Sequence, residues 1–342
     1  MSLNNANIIL NLGDLNLTEA YKWDKAQIYK FLDGKSAQRL DLVRWIKTLS
    51  DGNLYDKPRP SQHIYRVPTG SSANNDFSFL VPPNPWPTPT PPGPTLCLFI
   101  LFDFLGYFLA TLVPSAPVGA NKANFFLPLT AVYGRWCEKL APDADLPSKF
   151  NCTWYNKLDQ YGLKYQAPPA STNAWARPPT TAAPGKNYVR AIIEPAATHF
   201  MLGATTAGYV IPGARSSDAH PWLKEIWKKR KQYLIPIIGP IALDDEYGLY
   251  QKLGLTRPEQ WPWGNCAETI PYVLMFHRAK ARTDRDAAGR IFGCTLDRAF
   301  LSAVATYTTN NIWRYQVGPC FNCQELLLDN GVNDQGFVVN FR

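Results

Sequence analysis

Two short cysteine-containing stretches in the last third of the chain place the strongest constraint on its fold. Residues 264–268 read GNCAE, and residues 319–323 read PCFNC. An apolar segment follows each stretch, so both patterns predict a tight turn that runs into the first turn of a helix. Cys320 and Cys323 are three residues apart, which places both sulfurs on one face of the second helix.

Three cysteines at two helix starts predict a zinc site. The free N–H groups and positive potential of a helix N-terminus favour thiolate over thiol, and thiolates suit zinc. We therefore predict one zinc ion per chain, bound by Cys266, Cys320 and Cys323. A structural zinc takes a fourth protein ligand, whereas a catalytic zinc keeps that position for water. Buried free thiols are the remaining alternative, because cysteine is among the most buried residue types.

The pattern C-x-E followed by P-C-x-x-C resembles the zinc-dependent cytidine deaminase-like superfamily, and is most similar to the bacterial toxin-type YwqJ-like deaminases. The resemblance covers roughly the last third of the chain. It implies a C-terminal deaminase-like domain in which a mixed sheet is flanked by helices. It also implies that Glu268, two residues after Cys266, carries protons as the catalytic residue and is not a zinc ligand.

The resemblance implies zinc-dependent hydrolytic deamination of a nucleobase. Conversion of cytosine to uracil in DNA is the first hypothesis for the reaction. A free nucleoside, nucleotide or other small amino-heterocycle is the second. A non-enzymatic module that contains a structural zinc is the third.

Side chains next to the two motifs are candidates for recognition of a base. Trp263, Trp313 and Tyr315 offer aromatic faces for stacking, and Asn265 and Asn322 offer amides that can hydrogen-bond a base or a ribose. Each has a structural alternative. The aromatic rings can pack in the core or in loops, and the asparagines can serve turn or cap geometry.

The chain carries a net charge of +8, which is compatible with a polyanionic partner without requiring one. We therefore expect either nucleic acid, with DNA favoured, or a small nucleoside as the partner. Basic residues before and after the first motif form a candidate nucleic-acid patch, and a solvated basic face is the alternative. These residues are Lys228, Lys229, Arg230, Lys231, Arg278 and Arg282.

A chain of 342 residues exceeds a comfortable single core, which favours two domains in an α/β protein. Residues 167–186, rich in proline, alanine and threonine, are the predicted linker. Residues 1–166 are then a mainly helical N-terminal domain, and residues 187–342 are the deaminase-like domain.

The most apolar segment, Leu96–Val113, approaches the length of a membrane span. However, Asp103 lies in its middle, which costs about 2.5–3.5 kcal/mol on insertion into a bilayer. No cluster of lysine or arginine flanks the segment. We therefore predict a helix buried in the N-terminal domain rather than in a membrane, with a partner for the Asp103 carboxylate.

Local patterns predict further elements. Residues 18–50 are expected to be helical, with Thr18 as a cap and with a second helix from about Ser36. On that second helix Leu40, Val43, Ile46 and Leu49 repeat every three residues. Further helices are predicted over 121–140, 147–163 and 298–308, and strands over 188–194, 290–296 and 337–341.

The cysteine usage and the first residues favour a reducing compartment. Seven cysteines are an odd number and do not form a disulfide framework. Residues 1–7 lack the basic and apolar regions of a signal peptide. We therefore expect an intracellular protein, cytoplasmic or nuclear, in which the cysteines outside the motifs are buried free thiols: Cys97, Cys137, Cys152 and Cys294.

Overall fold

Helices combine with antiparallel sheets in the computed structural model of the protein, which is therefore a mixed α/β fold. The structure describes residues 9, 11–51, 65–67, 96–98, 100–113, 115–141, 146–156, 198–206, 226–227, 230–231, 234, 263–280, 291–332 and 337. The predicted linker at 167–186 and the predicted strand over 188–194 lie outside these residues. So does the predicted strand over 337–341, apart from Phe337, which lies in a turn.

The first half of the chain contributes mostly helices. Its elements are β1 (Asn11–Leu12), β2 (Leu15–Asn16), α1 (Leu17–Ala20), α2 (Lys25–Asp51), β3 (Tyr65–Val67), β4 (Leu96–Leu98), α3 (Leu101–Ala110), a π-helical turn (Lys122–Phe126) and α4 (Leu127–Leu140). β1 pairs with β2 and β3 with β4, both antiparallel. The helices predicted over 18–50 and 121–140 are confirmed in outline.

Three details of the first helices differ from the sequence-based predictions. α2 begins at Lys25, eleven residues before the predicted start at about Ser36. The cap of α1 is Asn16, whose side chain accepts hydrogen bonds from the N–H groups of Thr18 and Glu19. Thr18 is therefore inside the helix. In α2, Leu40 is 63% exposed although Val43 is buried. A three-residue step covers about 300° of a helix, so a period-three row of side chains moves off one face.

The remaining elements include a four-stranded sheet. They are β5 (Lys149–Asn156), β6 (Thr198–Ala204), α5 (Thr269–Lys280), β7 (Ile291–Asp297), α6 (Phe300–Ala303), α7 (Thr309–Trp313), β8 (Gln316–Val317) and α8 (Phe321–Asp329). The strand order is β6-β5-β7-β8, and every neighbouring pair is antiparallel. The strand predicted over 290–296 is confirmed as β7, whereas the helix predicted over 298–308 is present only as the short α6.

The helix predicted over 147–163 is wrong, because β5 occupies its first half. Polar and apolar residues alternate from Lys149 to Trp154, which is the period of a strand. β5 is also the central strand, paired with β6 on one side and β7 on the other. The sheet therefore contains chain from both sides of residues 167–186, and the part before residue 166 is not only helical.

The two faces of the sheet are chemically different. Phe150 and Trp154 of β5 point towards α4 and the π-helical turn, where the Trp154 ring stacks on Phe126 with centroids 4.1 Å apart. Asn151 and Thr153 point to the opposite face, because side chains alternate along a strand. Since α5 packs against β5 and β6, this polar face is buried beneath the helix that follows Glu268.

Close backbone contacts hold helices against both faces of β6. A Cβ atom on Gly106 of α3 would lie 2.3 Å from the carbonyl oxygen of Leu202. A Cβ atom on Gly203 would lie 2.6 Å from the carbonyl oxygen of Ala267. Glycine at both positions therefore lets α3 and the start of α5 approach the strand more closely than any other residue would.

The apolar segment contains β4 and α3, and all ten residues of α3 are buried. The prediction that the Asp103 carboxylate has a partner is confirmed. Asp103 forms an ion pair with Arg230, which is 1% exposed. Arg230 also donates to the carbonyl oxygen of Gly264 over 3.2 Å. Among the helices in the described part of the chain, none is long and apolar enough to span a membrane.

We predict that Asp103→Asn lowers the free energy of unfolding by about 3–5 kcal/mol, because it leaves the buried Arg230 charge without its counter-ion. Asp33→Asn is the matched control, since Asp33 is 57% exposed and pairs with Lys47 at 3.0 Å. The control should cost at most about 1 kcal/mol. Urea denaturation measures both values, and similar losses in the two variants would contradict the assignment.

Candidate metal centre

Two helix starts carry the cysteine motifs, as predicted. α5 begins at Thr269, directly after Glu268, and the Thr269 N–H donates to the carbonyl oxygen of Cys266 over 3.2 Å. Cys320 is the N-cap residue of α8. α8 ends before Gly331, which has a positive φ of 67°.

The three predicted zinc ligands lie together. The sulfurs of Cys266, Cys320 and Cys323 are all within 4.8 Å of one another, and those of Cys266 and Cys320 are 3.3 Å apart. Two sulfurs that are each about 2.3 Å from one zinc in tetrahedral geometry lie about 3.8 Å apart. The cluster therefore fits three corners of a zinc tetrahedron after shifts of a few tenths of an ångström to about one ångström.

The electrostatics of the cluster also fit a cation. The contact with Cys320, together with burial, raises the pKa of Cys266 well above the ordinary thiol value. Contacts with Cys266 and Cys320, together with burial, do the same to the pKa of Cys323. Three thiolates this close repel one another, so they ionise together only when positive charge is present. A bound zinc ion would supply that charge, and the N-termini of α5 and α8 would add to it.

Glu268 lies beside the sulfurs. It is 7% exposed, and its Oε2 atom is 3.6 Å from the Sγ atom of Cys323. Its Oε1 atom accepts a hydrogen bond of 2.7 Å from the hydroxyl of Thr295. Burial, followed by the charge of Cys320, raises the pKa of Glu268 to about 7. A cation held by the three sulfurs would act in the opposite direction.

Three polar residues near Glu268 were missed by the sequence analysis. Thr295 of β7 contacts the carboxylate, and Asn151 and Thr153 of β5 extend the hydrogen-bonded chain. The sequence signal for Asn151 and Thr153 is the alternation of polar with apolar residues along β5, which is buried on both faces.

Asn265 is hydrogen-bonded to Thr206 through both its side chain and its backbone. Its side-chain oxygen accepts from the Thr206 hydroxyl, and its backbone oxygen accepts from the Thr206 N–H over 3.2 Å. The Thr206 hydroxyl also accepts from the indole N–H of Trp227 over 2.5 Å. These bonds tie the turn before Cys266 to the end of β6, which favours the turn-geometry alternative for Asn265.

The other predicted base-contacting residues differ in exposure. Trp263 belongs to the hydrophobic core, and Asn322 is buried directly beside Cys323 in the chain. Trp313 and Tyr315 are only partly buried against the core. The aromatic faces with surface still available are therefore those of Trp313 and Tyr315.

The predicted basic patch requires a correction at Arg230. That side chain is buried and bound to Asp103, because a carboxylate inside the protein requires an opposite charge, so it cannot contact a nucleic acid. Lys231 is partly exposed, and Arg278 lies in α5. Lys228, Lys229 and Arg282 lie outside the described residues.

Comparison of the chain with protein-family models, with curated proteins and with solved structures finds no match. The case for the site therefore rests on its residues and their geometry.

We predict that the purified protein contains about one zinc ion per chain and that Cys320→Ser loses it, because a hydroxyl is a poor replacement for a zinc thiolate. Cys152→Ala is the matched control, since Cys152 is a buried free cysteine on the α4 face of the sheet. Elemental analysis should give full zinc in the control. A content of one zinc ion per chain in Cys320→Ser would contradict the assignment of Cys320 as a zinc ligand.

Proposed function

We propose that the protein is a zinc-dependent hydrolytic deaminase of a nucleobase. The observation that carries the proposal is the buried Glu268 carboxylate beside the sulfurs of Cys266, Cys320 and Cys323. The order of these residues, C-x-E and then P-C-x-x-C, is the deaminase signature in its three-cysteine form. Buried thiols alone do not account for a carboxylate at that position.

Each residue has a distinct role in the proposed reaction. The three cysteines would hold the zinc, and three protein ligands are the number found in catalytic zinc sites. When bound, zinc would supply the acidity that makes a water molecule nucleophilic at neutral pH. Glu268 would take a proton from the attacking water and pass protons to the ring nitrogen and to the departing amine. The net reaction consumes one water and releases one ammonia.

A deaminase-like domain of this kind requires a sheet covered by helices. The structure supports the proposal of such a domain in that α4 covers one face of the four-stranded sheet and α5 covers the other. The strand pairs within the described residues are all antiparallel. The parallel pair that a mixed sheet requires would therefore have to involve residues outside the described ones. The proposed domain would also include β5, and therefore begin before the linker at 167–186.

Cytosine in DNA is the proposed substrate. A base must leave its stack to reach a buried site, at a cost of a few kcal/mol, and phosphate contacts and stacking can offset that cost. The net charge of +8 supports a polyanionic substrate. The groups proposed to contact it are Trp313, Tyr315, Lys228, Lys229, Lys231, Arg278 and Arg282.

We predict that Glu268→Gln folds, retains zinc and loses at least about 10²-fold in activity, because it removes the acid–base group alone. Circular dichroism, elemental analysis and ammonia release measure the three properties. Loss of zinc in this variant would instead make Glu268 a fourth ligand, and the site would be a closed structural one.

We predict deamination of cytosine in oligonucleotides, with activity that falls steeply as salt rises. Replacing Lys228, Lys229 and Lys231 by alanine should lower the salt slope by about 0.7 for each phosphate contact removed from a single strand. The control replaces Lys25, Lys35 and Lys47 of α2, which changes the net charge equally. Deamination confined to free cytidine and insensitive to salt would establish the small-molecule alternative.

A further inference from the structure

A chain of buried hydrogen bonds leads from the sheet to Glu268. The Thr153 hydroxyl donates to Oδ1 of Asn151 over 2.8 Å. Nδ2 of Asn151 donates to the Thr295 hydroxyl over 3.0 Å, and that hydroxyl donates to Oε1 of Glu268 over 2.7 Å. All four side chains are buried, so none of these bonds competes with bulk water.

The direction of this chain is fixed by one further contact. The Asn151 amide also lies 3.2 Å from the carbonyl oxygen of Cys294. A carbonyl oxygen only accepts hydrogen bonds, so the amide atom that faces it must be the nitrogen. The same nitrogen faces Thr295, whose hydroxyl therefore accepts from Asn151. The single hydroxyl proton of Thr295 is therefore donated to Glu268.

The supporting residues are held rigidly. Asn151 and Thr295 are directly opposite each other in the ladder between β5 and β7, the two inner strands. The turn before Glu268 lies against β6, because Gly203 allows the close approach of the Ala267 carbonyl. Both the donor and the backbone that carries the acceptor are thus fixed by the sheet.

The two carboxylate oxygens of Glu268 consequently have different surroundings. Oε1 is occupied by the Thr295 hydroxyl, whereas Oε2 lies 3.6 Å from the Cys323 sulfur. We propose that Thr295, oriented by Asn151, is a positioning residue that holds Oε1 and presents Oε2 to the metal centre as the oxygen that exchanges protons. The proposal rests on the deaminase function proposed above.

Thr295→Val tests the role, because valine has the shape of threonine and lacks the hydroxyl. We expect kcat to fall about 10- to 100-fold, the usual effect of removing a group that orients a metal-site residue. KM and zinc content should change less than about 2-fold. Thr295→Ser keeps the hydroxyl and should have a kcat within about 3-fold of the wild-type value. If Thr295→Val does not fold, Thr295→Ala takes its place in the test.

Thr130→Val is the matched control. Thr130 is a fully buried threonine of α4, its hydroxyl donates to the carbonyl oxygen of Phe126 over 2.6 Å, and it lies on the other face of the sheet. This variant should lose stability and keep its kcat. If Thr295→Val likewise loses stability but not kcat, Thr295 is only structural and the proposal is overturned.

A second readout does not depend on activity. In protein labelled with ¹³C at the glutamate Cδ, the Glu268 resonance is identified by its absence from Glu268→Gln. It should move in Thr295→Val and stay in place in Thr295→Ser and Thr130→Val. An unmoved resonance in Thr295→Val overturns the proposal. If wild-type protein releases no ammonia, the proposed function and the proton-exchange role of Oε2 both fail, while this resonance still reports the hydrogen bond.

Discussion

The ion pair between Asp103 and Arg230 joins the apolar helix α3 to the turn that precedes the first cysteine. A carboxylate in the middle of a buried helix is tolerated only with an opposite charge beside it. The guanidinium meets this requirement and also reaches the Gly264 carbonyl, two residues before Cys266. The requirement of one buried charge therefore helps to fix where the first cysteine motif lies relative to the core.

The second constraint is the unequal chemistry of the two sheet faces. On one face, aromatic side chains of β5 pack against α4 and the π-helical turn, which provides hydrophobic stabilisation. On the other, Asn151, Thr153 and Thr295 are buried polar groups that need hydrogen-bond partners. Glu268 is the acceptor at the end of their chain, so satisfying the polar face also orients the proposed catalytic carboxylate.

The candidate site was predictable where its signal is local. The helix starts after Glu268 and at Cys320, and the placement of Cys320 and Cys323 on one helix, depend on residues a few positions apart. The approach of Cys266, which is 54 residues before Cys320, followed from the zinc-site hypothesis rather than from a local pattern. Burial of Asp103 with a partner followed from the cost of desolvation. The identity of that partner could not be predicted from the sequence, because Arg230 lies within a run of basic residues that is typical of a solvated surface.

The sequence by itself determined the apolar character of α3, the helix starts and the three cysteines that are candidate metal ligands, because periodicity, capping and residue type act over short distances. Only the tertiary structure decided that β5 is the central strand, that Arg230 is buried and that Thr295 binds Glu268. Asn151 and Thr295 are 144 residues apart in the chain. Their contact depends on strand register, which is set by the packing of the whole sheet rather than by neighbouring residues.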